Sequence, residues 1–113
     1  HPDINGFVGV NDNGLLGALN ASVELGLSER DDFIIVGIGG DNSTLQMIKQ
    51  DTPFKATVFI DPWQNGYNDA KIMHEMFEGK EYKNKIVYFS SISIIDSSNV
   101  DELISEKEGR KRF

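Results

Sequence analysis

Apolar positions along the chain switch period several times in one recurring order. Residues 7–10 (FVGV) run without polar alternation, the pattern of a strand covered on both faces in a parallel sheet, and a first strand is expected over about 4–10. Asn11, Asp12 and Asn13 end it with side-chain oxygens suited to the free N–H groups of a helix start. Leu15, Leu16, Leu19 and Val23, with the small Ala18 and Ala21, then fall at helical spacing, which predicts a helix over about 14–25 stopped by Gly26. After a polar connector, residues 33–38 (FIIVGI) form a continuous, β-branched run bounded by Gly39 and Gly40, the expected central strand. Asp41, Asn42 and Ser43 repeat the capping chemistry, and Leu45, Met47 and Ile48 give a short helix ending before Pro53. A third unit follows: strand 56–60, Asp61 as N-cap, Pro62 in the first turn, and a long helix closed by Gly79. Its stripe Ile72, Met73, Met76 and Phe77 is expected in the core.

Three successive strand, polar turn, helix units are what right-handed parallel crossovers require. The fold class is therefore α/β, a three-layer doubly wound arrangement with a mostly parallel sheet whose strand order the pattern leaves open. Residues 85–89 (KIVYF) and 90–95 (SSISII) are further strand candidates, and a terminal helix starts near 99–103, capped by Ser98 or Asn99. Open sheets of this class place ligands outside the carboxyl ends of the strands, where helix starts and loop side chains meet. The polar strand ends are thus the expected working surface.

Composition narrows the function classes. A chain of 113 residues with 39% apolar content has room for one domain, and no apolar run reaches the length of a membrane span. A net charge of −7 argues against a nucleic-acid surface, and the basic cluster 110–112 beside Glu106 and Glu108 reads as a solvated tail. With no cysteine there is neither a disulfide framework nor a thiolate metal site. His74 and Glu75 are neighbours on a helix and point in different directions, so no metal pair is expected. GIGGDN lacks the three-glycine spacing of a dinucleotide loop, and no nucleophile-base constellation stands out. The expectation is a binding protein without catalytic residues, metal or cofactor.

The strings HPDINGFVGVNDNGLLGAL, FIIVGIGGDN, ATVFIDPWQNGY, EGK and IIDSSNVDELI occur in that order. In this the sequence resembles the C-terminal part of the periplasmic sugar-binding proteins of the ribose and galactose class, a superfamily that includes the effector domains of lactose-repressor-type regulators. The resemblance covers nearly the whole chain. It implies two α/β lobes closing on a ligand, of which residues 1–113 form most of one lobe with a hinge-crossing segment near 86–91. It places Asn11 at the family's cleft asparagine and Asp12 at its neighbour. Two positions depart from it: the acid usual after the glycine-apolar pair is Gly39 here, and the amide usual before the aspartate-proline turn is Ile60.

The expected ligand-binding residues are Asn11, Asp12, Asp41, Asn42 and Trp63. Asp41 enters because a sharper bend at Gly39 and Gly40 would bring it toward the place of the missing acid. Trp63 enters because an aromatic face stacks on the apolar face of a sugar ring. The resemblance implies extracytoplasmic (periplasmic or extracellular) capture of a small polar ligand, sugar-like, by hinge closure, for ABC-type uptake or a membrane sensor. No signal segment lies within these residues. The implied partners are an N-terminal lobe and a membrane transporter or sensor, with no nucleic acid. The alternative is the effector-binding domain of a lactose-repressor-type transcription regulator; a small α/β enzyme would need a clustered acid site or nucleophile turn that is not seen. As an incomplete lobe, the chain on its own is expected to expose a sheet edge and an apolar face, and so to self-associate or be marginally stable.

Overall fold

The computed structural model describes residues 1, 3–83 and 92–110. They divide into two compact units, His1–Phe59 with Ser93–Phe113, and Ile60–Ile92. In chain order the elements are β1 (Gly6–Val8), α1 (Asp12–Glu24), a 3-10 turn (Leu27–Glu29), β2 (Ile34–Gly39), α2 (Asn42–Lys49), β3 (Phe54–Ile60), α3 (Pro62–Phe77), β4 (Ile92–Asp96) and α4 (Val100–Arg110). The sheet has the order β1-β2-β3-β4, so β2 is interior as its apolar run requires, and β1 lies at an edge. β1 runs parallel to β2, with Phe7 opposite Ile35, and β2 runs parallel to β3.

One irregularity decides which β3 residues enter the core. Ile35 pairs with Phe54 but Val36 pairs with Ala56, so Lys55 is an extra residue on β3. Without it, Phe54 and Thr57 would point to opposite sides, since strand side chains alternate. With it, Phe54, Thr57 and Phe59 share the face of Ile35, and all four are buried. Leu15 and Leu19 of α1, Leu45 and Ile48 of α2, Ile95 of β4, and Val100 and Leu103 of α4 complete that core. Phe7 packs edge-on against Phe33, with ring centroids 5.7 Å apart.

The first strand is shorter than the expected 4–10. Its lead-in is held by Arg30, which donates to the Ile4 carbonyl (3.2 Å) and Asn5 Oδ1 (3.0 Å) while pairing with Asp32 through Nε (2.9 Å) and Nη2 (2.8 Å). Cover on both faces is not found at this strand: Val8 is 86% and Val10 84% exposed. Ile34, Ile92 and Ile94 are exposed as well. The helix ends match better. Gly26 has φ 68° after α1, and Gly79 has φ 88° after α3, both in the left-handed region that ends helices.

In the second unit, α3 forms where expected, with Pro62 in its first turn, but it has no buried residue. The stripe expected in the core is accessible: Ile72 is half-buried and Met73, Met76 and Phe77 are exposed. Inside its unit α3 makes polar contacts, Gln64 with Asn68 and Glu75 with Lys80 and Tyr82. Glu75 is held below the ordinary carboxyl range by hydrogen bonds from Lys80 and then Tyr82, and the Tyr82 hydroxyl is raised by the same carboxylate. The strand expected at 85–89 and the crossing segment at 86–91 lie outside the described residues. β4 corresponds to the later part of the run at 90–95. Asn99 does precede α4, but its Oδ1 accepts from Asp96 N (3.0 Å) and its Nδ2 donates to the Ile94 carbonyl (2.9 Å), so its side chain ties the helix start back to the strand.

Candidate functional site

The β1–α1 turn carries two polar residues with different tasks. Asn11 is extended (φ −154°, ψ 151°), and its Oδ1 accepts from Gly14 N at 2.7 Å, the ordinary N-cap geometry. It is exposed, and among the described residues its Nδ2 has no bond within the protein. Asp12 turns inward and is 1% exposed. Its Oδ2 accepts from Gly40 N (2.7 Å) and Asp41 N (3.1 Å), and Thr57 Oγ1 donates to Oδ1 (2.9 Å) and Oδ2 (3.1 Å). A carboxylate out of water needs such donors, and its place in the first turn of α1 adds the favourable end of the helix dipole. Asp12, expected beside Asn11 as a ligand contact, therefore sits beneath the strand ends with both oxygens engaged. Its task is to hold the next turn.

That turn, between β2 and α2, is made by two glycines with positive φ, 145° at Gly39 and 74° at Gly40. Side chains there would be strained, and they would also be crowded: a Cβ at Gly39 would lie 3.3 Å from Asp12 Oδ2, and one at Gly40 2.5 Å from the Phe59 ring. The acid usual at position 39 in the resembling family would be strained here at positive φ and would need the Asp12 carboxylate to shift by a few tenths of an ångström. The chain instead bends through both glycines and presents Asp41 next.

Asp41 is the N-cap of α2 by position, and Leu45 N donates to its carbonyl at 2.9 Å. Its carboxylate makes no cap bond with α2 and has no partner among the described residues. It is half-buried, and Asn42 beside it is exposed. Asn11, Asp41 and Asn42 thus all belong to turns at the carboxyl ends of adjacent strands β1 and β2, with Asp12 bridging the two turns. Lys107 of α4 reaches the same place: its Nζ donates to the Gly40 carbonyl (2.7 Å) and lies 5.6 Å from the centre of the Phe59 ring. Asn42, Gln46, Ile104, Lys107 and Glu108 line a hollow of about 90 Å³ between α2 and α4. That is well below the ~300 Å³ at which small-molecule pockets begin.

In the second unit, Asp61 Oδ1 accepts from Trp63 N (3.0 Å) and Gln64 N (3.2 Å), capping α3 behind Pro62. Trp63 is 58% exposed, and its ring stacks parallel to Tyr67 one turn on, with centroids 5.7 Å apart. Sequence reasoning missed Thr57 and Lys107. Thr57 carried a weak signal, a hydroxyl in an otherwise apolar strand; Lys107 carried none, being 67 residues from its acceptor. Among the described residues no group of three His, Cys, Asp or Glu side chains could hold a metal ion, and no helix is long and apolar enough to cross a membrane.

Solved structures share this architecture. A glucose-galactose binding protein from Geobacillus stearothermophilus superimposes with a TM-score of 0.75 at 23% identity, over 88% of this chain and 34% of its own. An ABC transporter periplasmic solute binding protein from Actinobacillus succinogenes with bound D-allose gives 0.78 at 22% identity, over 90% and 34%. The fructose binding periplasmic domain of a hybrid two-component system gives 0.73 at 24% identity, over 97% and 37%. The chain thus spans about a third of the length of each of these structures. No curated protein matches its sequence. Residues 1–81, most of the chain, match the periplasmic binding protein domain, a family of binding proteins rather than enzymes. With the doubly wound fold and its polar strand ends, this match shows that the chain belongs to the periplasmic binding protein domain family.

Proposed function

We propose that the chain is part of one lobe of an extracytoplasmic solute-binding protein that captures a small, sugar-like molecule. The observation that carries this reading is the Asp41 carboxylate, an acid at a strand end that gives up its capping role on a backbone fixed from below by Asp12. A preorganised carboxylate beside exposed amides is suited to accept hydrogen bonds from solute hydroxyls, which neutral groups alone bind less strongly. In this reading Asp41 accepts from hydroxyls, Asn11 and Asn42 supply donors and acceptors, and Asp12 positions the turn. Trp63, in its own unit, offers an aromatic surface for the apolar face of a sugar ring. Capture works by hinge closure against a second lobe, and the solute stabilises the closed state by its excess affinity for it. Delivery is to an ABC-type transporter or to a membrane sensor; the names of the similar structures include both kinds.

The test is a thermal-shift screen of the full-length protein against pentoses, hexoses, polyols, nucleosides and amino acids, with Asn11→Ala, Asp41→Ala and Trp63→Ala alongside. A sugar or polyol is expected to raise the melting temperature of the unmodified protein and to lose that effect in the variants. Stabilisation by a sugar that all three variants retain would move the site elsewhere. Stabilisation confined to nucleosides or amino acids would replace the sugar-like assignment.

A further inference from the structure

Lys107 and Asp12 act on the same peptide group. The carbonyl of Gly40 and the N–H of Asp41 belong to one planar unit. Lys107 Nζ donates to that carbonyl at 2.7 Å, and Asp12 Oδ2 accepts from that N–H at 3.1 Å. The unit is therefore held from both ends by opposite charges, one from the start of α1 and one from the far end of the chain in α4. Such a hold has a specific consequence in a glycine turn. With Gly39 and Gly40 both at positive φ, the backbone before Asp41 lacks the steric limits that its own side chains would impose, so on the glycine side the peptide is held by its partners rather than by local sterics. Rotation would swing the Cα–Cβ bond of Asp41 and carry its carboxylate away from the strand end. Phe59 closes the arrangement from the side: its ring occupies the space that a Cβ on Gly40 would need, and the Lys107 ammonium lies over the same ring.

We infer that Lys107 is a positioning residue for the solute site, fixing together with Asp12 the Gly40–Asp41 peptide and thereby the aim of the Asp41 carboxylate. This rests on the reading of Asp41 as a solute contact, but the clamp itself is a property of the backbone and can be measured without solute. It also gives α4 a role: the final helix supports the strand-end turn of a strand it does not adjoin in sequence.

The experiment uses the full-length protein with Lys107→Met, which keeps the stem over Phe59 and removes the donor, and Lys107→Arg, which keeps a donor. Amide hydrogen exchange at Gly40 and Asp41 is expected to accelerate about tenfold or more in Lys107→Met, the scale of one lost charge-assisted hydrogen bond, with α1 amides unchanged and Lys107→Arg close to the unmodified protein. Unchanged exchange at Gly40 and Asp41 in Lys107→Met would overturn the clamp. Titration with D-galactose then tests the link to the site through a double-mutant cycle. Lys107→Met is expected to weaken binding about tenfold alone and to add little on top of Asp41→Ala, because both act through one carboxylate. Fully additive losses would overturn the positioning role. Failure of the unmodified protein to bind D-galactose would count against the sugar assignment, while the exchange rates would still decide the clamp.

Discussion

Asp41 and Asp61 occupy equivalent places, each the last residue before a helix that follows a strand, yet their carboxylates do different things. Asp61 accepts from two amides of α3 and is nearly buried, so it completes its own helix. Asp41 accepts from none of α2, although an aspartate there would normally contribute about 1 kcal/mol as a cap. The difference lies in what precedes them. Asp61 directly follows the last residue of β3, whereas Asp41 follows two glycines in left-handed conformations, and its N–H is already taken by Asp12. A capping residue that does not cap, held in place by a charge beneath it, is where a binding role should be sought.

The comparison breaks most severely at Asp12. Asp12→Ala would leave the buried Thr57 hydroxyl and the half-buried Asp41 amide without their acceptor, and the Gly40 amide with only the longer bond to Thr57 Oγ1 (3.3 Å), and is expected to lower unfolding stability in urea by about 3 kcal/mol. It sharpens at the two aspartates themselves. In the same assay Asp61→Ala should cost about 1 kcal/mol, and Asp41→Ala less than ~0.5 kcal/mol, because one loses a cap and the other does not. Solute binding should reverse that ranking.

A third use of a carboxylate gives the smallest expected effect. The hydrogen bonds from Arg30 hold Asp32 below the ordinary carboxyl range. Its contribution is therefore fully present above the carboxyl's unfolded-state value and fades as pH falls through the lower folded-state value. Arg30→Gln should accordingly flatten the loss of stability on acidification in that window, measured by urea unfolding at a series of acidic pH values. The pair is exposed to solvent, so the change should be the least of those named here.

What the sequence disclosed follows the reach of the interactions involved. Asn11 and Asp61 as caps, Pro62 in a first turn, and Gly26 and Gly79 as helix ends are set by neighbours within a few residues, and local chemistry reveals them. The bend at Gly39 and Gly40 was legible for the same reason. The inward turn of Asp12 was not, because its partners are 28, 29 and 45 residues away. The extra residue at Lys55 has no mark in the run FKATVFI, where alternation alone would separate Phe54 from Thr57. The apolar stripe of α3 shows the opposite failure: helical spacing was read correctly, but spacing cannot say whether a second layer meets it, and within its unit none of its residues is buried.

The buried Asp12 also bears on the order in which the lobe assembles. Its three partners come from β2–α2 and β3, so its bonds cannot close until β1, β2 and β3 lie side by side. Contacts that bring together distant parts of a chain form late, after the loss of chain entropy has been met by the apolar core. The carboxylate is then expected to lock a sheet that already exists, so that Asp12→Ala should speed unfolding more than it slows refolding, a split that stopped-flow kinetics in urea would measure. Under the hinge-closing role proposed above, this feature would keep the fold intact through repeated cycles, by slowing its unravelling rather than by hastening its birth.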